Sequence, residues 1–300
     1  MVAPPLPRRY YQVETLVFGR AVERAIKPER YIVGCANPDQ PLNAKFREVL
    51  QVFNCPILPM RYESAELAKI SINCCLVASV SVANTLAGLC ESIGADWSEI
   101  APALKLDRRI GPHSYLSPGL GIAGGNLERD LATVIRIADA HDTDAGVVKA
   151  WIHNSRYRRD WVVRLIKRIL LDRQPDAALT IWGLAYKENT HSIKNSPSLA
   201  TITQMPDAHL CVHDPVVAAS AVKHPHVKTA DEPLKALEGA DALLILTPWP
   251  LYRRITPQQI AQVMENGIVV DPYAVLDEKA CVAAGLRYYT LGKPLAKASH

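Results

Sequence analysis

A chain of 300 residues, 49% hydrophobic and 21% charged, is long enough for two compact domains with cores of their own. Its 34 lysines and arginines exceed its 30 acids by only four, and the basic residues are scattered except in RYRRDWVVRLIKR, Arg156 to Arg168. With three phenylalanines and no RNP-like motif, that balance excludes nucleic acid from the expected partners.

The N-terminal MVAPPLPRRYY lacks the apolar core of a secretory signal. No apolar run is read as long enough to span a membrane, so the expectation is a cytoplasmic chain with no membrane partner. Tyr31 to Cys35 (YIVGC) and Pro56 to Met60 (PILPM) read as short strands around a helix from about Asn43 to Val52, which makes an incomplete α/β sheet. Ser64 to Ser92 is apolar at helical spacing without proline and predicts a long central helix, with Glu66, Lys69 and Asn73 along one face. Further helices are expected over Trp97 to Leu104, Glu128 to His141 and Thr143 to Leu171.

Between the first two of these lies PGLGIAGGNLERD, Pro118 to Asp130. Glycines at this density let a backbone approach a ligand and present its N–H groups, and the turn from Asn126 to Asp130 opens a helix N-terminus. The loop contains no nucleophile. The seven cysteines (Cys35, Cys55, Cys74, Cys75, Cys90, Cys211 and Cys281) are odd in number, with no CxxC and no neighbouring histidine pair. They predict reduced, buried thiols, neither a disulfide framework nor a metal site.

After Asp172 strands and helices alternate. ALTIWG (Ala178 to Gly183), LCVHD (Leu210 to Asp214), ALLILT (Ala242 to Thr247), GIVVD (Gly267 to Asp271) and LRYYTL (Leu286 to Leu291) predict a parallel, doubly wound sheet. Its carboxyl edge would carry the GLAYKEN, HDP and TPW loops, with Lys187, Asn189, Asp214 and Trp249 as ligand-facing candidates. The chain contains neither GxGxxG nor GxxxxGK[ST].

Six segments in order resemble the nucleotide-sugar dehydrogenase family, which includes UDP-glucose 6-dehydrogenase and the UDP-N-acetylmannosamine dehydrogenases. They are GRAVERAIKPERYIVG, SAELAKISINCCLVASVSVANTLAGLCESIGAD, LDRRIGPHSYLSPGLGIAGGNLERD, GLAYKENTHSIKNSPSLA with its following HDP, ADALLILTPWPLYR, and VVDPYAVLD with AGLRYYTLG. The resemblance implies an α/β fold in three parts. These are a remnant of an N-terminal NAD-binding domain over 1–61, a central helical dimerisation domain over 62–171, and a Rossmann-like UDP-binding domain over 172–300.

It also implies two NAD-dependent hydride transfers that oxidise a sugar C6 alcohol to a carboxylate, with an enzyme thiol holding the intermediate aldehyde. Carried over residue by residue, Lys69 and Asn73 would stabilise an oxyanion or hold a water, Asp130 is the acid closing the glycine loop, and Glu14 is the first acid of the early segment. Arg109 would reach towards the nucleotide sugar of the twofold mate, while Gly121, Gly124 and Lys187 would line the substrate site.

The departures weigh more. Aligned without gaps, the family's cysteine falls on Asn126, and a carboxamide cannot form the thiohemiacetal and thioester. Phe18 stands at the second acid of the early segment, Ala123 where a glycine usually lies, Gly125 where serine or histidine is common, and His191 in the place of an aspartate. The glycine-rich NAD turn is missing as well, so no cofactor is expected to bind this chain, although the family uses NAD. Simpler readings stand beside these. Lys69 and Asn73 also read as a solvated edge or a polar packing pair, Asp130 as a first-turn acid, Asn126 as a helix N-cap, Lys187 and Arg109 as solvent-facing cations, and His213 as a turn former.

The expectation is therefore a degenerate homologue that acts as a binding, scaffold or regulatory subunit and dimerises through its central helix, with a nucleotide sugar as its possible ligand. The alternative is an oxidoreductase whose NAD domain comes from a partner chain. An exposed face on the N-terminal strands would favour the partner, and a face covered by the chain's own N-terminal arm would favour a self-contained fold.

Overall fold

The structure, a computed structural model, describes residues 8–16, 19–264 and 266–294. The position of Phe18 therefore lies outside the described residues. The chain divides into two compact units, one up to Cys75 and one from Leu76, and the division falls inside a single helix.

In the first unit β1 (Tyr11–Gln12), α1 (Ala21–Ile26), β2 (Tyr31–Cys35), α2 (Ala44–Gln51) and β3 (Ile57–Arg61) lead into α3 (Tyr62–Ile93). The sheet order is β1-β2-β3. β2 and β3 run parallel, with Tyr31 opposite Ile57 and Cys35 opposite Arg61, as their short apolar runs predict. The third strand was not foreseen. β1 lies antiparallel to β2, with Tyr11 opposite Gly34. Its arm is held by tertiary bonds: the Asn43 N–H donates to the Tyr10 hydroxyl at 2.9 Å, Tyr62 donates to the Arg9 carbonyl at 2.8 Å, and Tyr10 stacks on Phe46 at 5.0 Å. Asn43 also caps α2, accepting from Lys45 N at 3.1 Å. The chain's own arm thus occupies the open edge of β2.

The second unit begins within α3 and continues through α4 (Trp97–Leu106), capped by Asp96, then α5 (Asn126–Ala140) and α6 (Gly146–Arg159). α7 (Trp161–Ile166) follows and opens into a π turn over Lys167–Leu171. The single helix expected over Thr143 to Leu171 is broken at Asp160, whose φ of −83° and ψ of 9° leave the helical region. Asp160 accepts from Gln204 Nε2 at 3.0 Å, and beyond the break Trp161, Val162, Val163, Leu165 and Ile166 are all buried, four of them in the main core. Tertiary packing, with no proline or glycine nearby, sets this boundary.

The remaining chain builds a wholly parallel sheet in the order β6-β5-β4-β7-β8-β9. Its strands are β4 (Ala178–Trp182), β5 (His209–His213), β6 (Val227–Thr229), β7 (Ala242–Ile245), β8 (Ile268–Val270) and β9 (Arg287–Tyr289). α8 (Pro197–Thr203), α9 (Pro257–Val263) and α10 (Glu278–Ala283) accompany it. All residues of β7 and β8 are buried, the sign of central strands covered on both faces. β6 went unread because Val227–Thr229 is a half-exposed edge with little apolar signal. Chain order reverses around β4, which pairs with both β5 and β7, so the carboxyl ends of these strands frame the crevice where such sheets take ligands.

The expectation that no apolar run reaches membrane-spanning length is corrected for α3, which is long and apolar enough by length and composition alone, a test that the core helix of a soluble protein also passes.

Candidate ligand cleft at the glycine loop and sheet edge

In the second unit the glycine loop is clamped by neighbours on three sides. The Gly119 N–H donates to Asn84 Oδ1 of α3 at 2.8 Å, and the Ile122 N–H donates to Ser155 Oγ of α6 at 2.7 Å. The Gly124 N–H donates to the Lys194 carbonyl at 3.2 Å. Gly121 has a φ of +73°, and a Cβ there would stand 2.3 Å from the Ser155 carbonyl oxygen, so only glycine fits. Much of the loop's glycine content therefore serves close packing, and three of its N–H groups are spent inside the protein.

The loop also meets the turn after β4. The ring of Tyr186 lies 3.1 Å from where a Cβ on Gly124 would be, and Asn195 donates to the Gly124 carbonyl at 2.7 Å and to the Glu128 carboxylate. Lys187 Nζ sits 5.6 Å from the Tyr186 ring centre. Gly124 and Lys187 thus meet at Tyr186, whereas Gly121 packs on Ser155, and His191 lies exposed on the turn after β4. Lys194 and Asn195, which make the junction, went unnoticed in the sequence; the polar cluster THSIKNSP was the only signal for them.

Asn126 is the first residue of α5 and is exposed, whereas the cap position belongs to Gly125, which has no side chain to cap with. The N-cap reading of Asn126 is thereby displaced by one residue. Asp130 is buried one turn on, with the Arg129 guanidinium 3.2 Å from its carboxylate. Arg109 lies outside this neighbourhood. Its side chain is 89% exposed and forks onto Asp107 at 2.6 Å, holding that carboxyl below the ordinary range. Glu14, Lys69 and Asn73 belong to the first unit; Glu14 is exposed and takes a bond from Gln12 at 3.3 Å, and Lys69 and Asn73 are half-buried one turn apart on α3.

At the sheet edge the HDP motif has a different task from ligand contact. Asp214 Oδ2 accepts from Leu184 N at 2.6 Å, Ala185 N at 3.1 Å and Trp249 Nε1 at 3.0 Å, and Oδ1 accepts from Val216 N at 2.9 Å and Val217 N at 2.8 Å. One carboxylate ties together the ends of β4, β5 and β7. Asp214 and Trp249, ligand-facing candidates by position alone, bond to each other. Thr247 reinforces the clip by donating to the Ala185 carbonyl at 2.6 Å. Behind it His213 shares a 3.0 Å bond with the Tyr252 hydroxyl, and burial holds its imidazole below the usual range. Tyr252 in turn stacks on Trp182 at 4.8 Å. After β8, Asp271 is fully buried and its carboxyl is pushed up to about 6 by burial, against bonds from Leu276 N and the Tyr288 hydroxyl, both 2.9 Å.

No cysteine stands in this cleft. Cys90 and Cys281 are buried and Cys211 half-buried on a strand; burial raises all three thiols, Cys281 to about 12. Burial disfavours the thiolate form in all three. The turn after β2 reads ANPDQPLN and the turn after β4 opens on GLAYKEN, and neither carries the glycine-rich fingerprint of a dinucleotide site. Among the described residues no group of three or more His, Cys, Asp or Glu side chains is arranged to hold a metal.

Two family models match in sequence order. Residues 63–156 match the central domain, and residues 180–278 the UDP binding domain, of the UDP-glucose/GDP-mannose dehydrogenase family. The chain belongs to this family. Among its relatives, UDP-glucose 6-dehydrogenase TuaD of Bacillus subtilis is 28% identical over 290 residues, which cover 95% of this chain and 62% of TuaD. UDP-glucose 6-dehydrogenase of Pseudomonas aeruginosa is also 28% identical, with 94% and 64% covered.

A UDP-glucose dehydrogenase structure from Pyrobaculum islandicum superposes with a TM-score of 0.80 at 26% identity, over 94% of this chain and 62% of that one. A UDP-D-ManNAc dehydrogenase of Pyrococcus horikoshii shares the fold, with a TM-score of 0.77 at 22% identity over 95% of this chain and 65% of that one. The chain spans somewhat less than two thirds of the length of most of these relatives, 62% of TuaD among them. Both family models fall on central and UDP-binding domains.

Proposed function

We propose that this member of the dehydrogenase family binds a nucleotide sugar without carrying out the NAD-dependent oxidation at C6, and acts as a binding, scaffold or regulatory subunit. The observation that carries the reading is Asn126, exposed at the start of α5 where the family's cysteine falls, with every described thiol of the second unit elsewhere and raised by burial. An amide cannot become the acyl carrier that the second oxidation requires.

What supports retained binding is the construction of the cleft. The Asp214 clip holds the loop ends together at the carboxyl edge of the sheet, and the Gly124–Tyr186 junction sets Lys187 beside them. In this reading Lys187 and the backbone of Gly121 and Gly124 hold the diphosphate and sugar, Arg109 reaches a second copy's ligand, and Lys69, Asn73, Asp130 and Glu14 keep their family positions without driving the chemistry. The domains follow as 1–61, 62–171 and 172–300. The test is titration of the purified chain with UDP-glucose in the presence of NAD. Binding heat without NADH supports the reading, and NADH formed by the purified chain would overturn it.

Assembly belongs to the same proposal. Within the second unit α3 exposes Val82 (52%), Leu86 (38%), Leu89 (51%) and Ile93 (66%), spaced four, three and four residues apart along one stripe. A second copy laid on this stripe would bury it in a symmetric contact. At roughly 25 cal/mol per Å² and an ordinary interface of about 800 Å² per partner, the homodimer would persist at micromolar concentration. Sedimentation equilibrium is expected to show twice the 33.0 kDa chain mass, with Leu86→Glu shifting the species to monomer. A wild-type monomer at that concentration would contradict this.

A further inference from the structure

The first unit carries a cavity of about 480 Å³ where β2 ends, at the carboxyl side of the parallel pair β2 and β3. That volume falls within the range of small-molecule sites, roughly 300–1,000 Å³, and the carboxyl ends of parallel strands are where α/β sheets take ligands. Glu14 stands at the other end of this sheet, because β1 runs antiparallel to β2. The lining residues include none of the glycine loop, the Asp214 clip or the apolar stripe of α3.

Arg8 and Arg9 line the cavity, and no acid does. Arg8 Nη1 donates to the Pro41 carbonyl at 3.0 Å, which anchors one fork at the rim. The Arg9 side chain makes no hydrogen bond or ion pair with a described residue, yet its backbone is held, since the Tyr62 hydroxyl donates to its carbonyl at 2.8 Å. Two guanidinium groups are thus kept side by side without a counter-charge. A concave site lined by one sign of charge concentrates the opposite ion.

The rest of the wall has another character. Cys35 and Leu42 are buried in it, and the rings of Tyr10 and Tyr62 are half-buried beside them. Tyr10 is fixed by its stack on Phe46 at 5.0 Å. Asn37, also in the lining, accepts from Asp39 N at 3.0 Å through Oδ1, so its amide NH₂ is the group that remains for a ligand. The Cys35 thiol donates to the Met60 carbonyl at 3.5 Å and serves as wall. A cationic rim over an aromatic and apolar wall suits an anion with a flat body, because guanidinium forks match phosphate oxygens and tyrosine rings stack on a base.

We infer that this cavity binds a nucleoside monophosphate, with the phosphate on Arg8 and Arg9 and the base against the tyrosines. The probe is adenosine 5′-monophosphate, titrated calorimetrically into the full chain. Saturable heat is expected, with affinity about fivefold weaker in Arg9→Gln and at least about tenfold weaker for adenosine, which lacks the phosphate. Arg9→Gln removes no side-chain bond to a described residue, so the variant keeps the fold. Binding should be unchanged in Lys187→Ala, which alters the sheet-edge cleft. No heat with the wild-type chain, equal affinity for adenosine, equal affinity in Arg9→Gln, or loss of binding in Lys187→Ala would each overturn the assignment.

Discussion

Glu91→Ala is expected to destabilise the second unit by about 3–5 kcal/mol, the cost of leaving a buried guanidinium without its counter-charge. Glu91 Oε1 accepts from Arg158 at 2.5 Å and from the Gly292 N–H at 2.9 Å, while Oε2 accepts from Trp161 Nε1 at 2.7 Å. Both members of the ion pair are less than a tenth exposed. One carboxylate on α3 therefore gathers α6, α7 and the segment after β9, and the Gly292 carbonyl returns a bond from Trp97 N at 2.8 Å. Denaturant unfolding should show a lower midpoint with an unchanged slope. The double variant Glu91→Ala with Arg158→Met should recover part of the loss, because no unpaired charge remains. If the double variant is as unstable as the sum of the singles, the charge argument fails.

Asp214→Ala is expected to cost on the order of 3–5 kcal/mol and to abolish nucleotide-sugar binding, since five N–H groups lose a charged acceptor at once. Asp214→Asn should lie between alanine and wild type. A single amide oxygen can serve Leu184, Ala185 and Trp249, but the amide nitrogen would then face the Val216 and Val217 donors. Thermal unfolding of the three proteins checks the order. Equal melting of the alanine variant and wild type would remove Asp214 from the account of the sheet edge.

These two carboxylates also mark what sequence reading can reach. α3 was legible because apolar residues without proline run from Tyr62 towards Ile93, and β4 and β7 because their short apolar runs are buried on both faces. The HDP motif was visible, but its partners stand 29 to 35 residues away, so its role as a clip was not. Glu91 was silent for the same reason, with partners 67, 70 and 201 residues distant.

β1 and β6 escaped because such short pairings are decided by neighbouring strands more than by their own residues. The glycine loop read as a ligand cradle, and the structure adds a packing cause: Asn84 and Ser155, 35 and 33 residues away, take two of its N–H groups. β1 fills one edge of β2 from within the chain.

The central claim is a family cleft kept for binding and stripped of its thiol chemistry. It is tested most directly by calorimetric titration of the purified chain with UDP-glucose in the presence of NAD, with absorbance of NADH followed in the same sample. The account predicts saturable heat with a Kd of roughly micromolar to millimolar, lost in Lys187→Ala, unchanged in Asn126→Ala, and accompanied by no NADH. Absence of heat at every accessible concentration, or steady NADH formation by the wild-type chain, would contradict it.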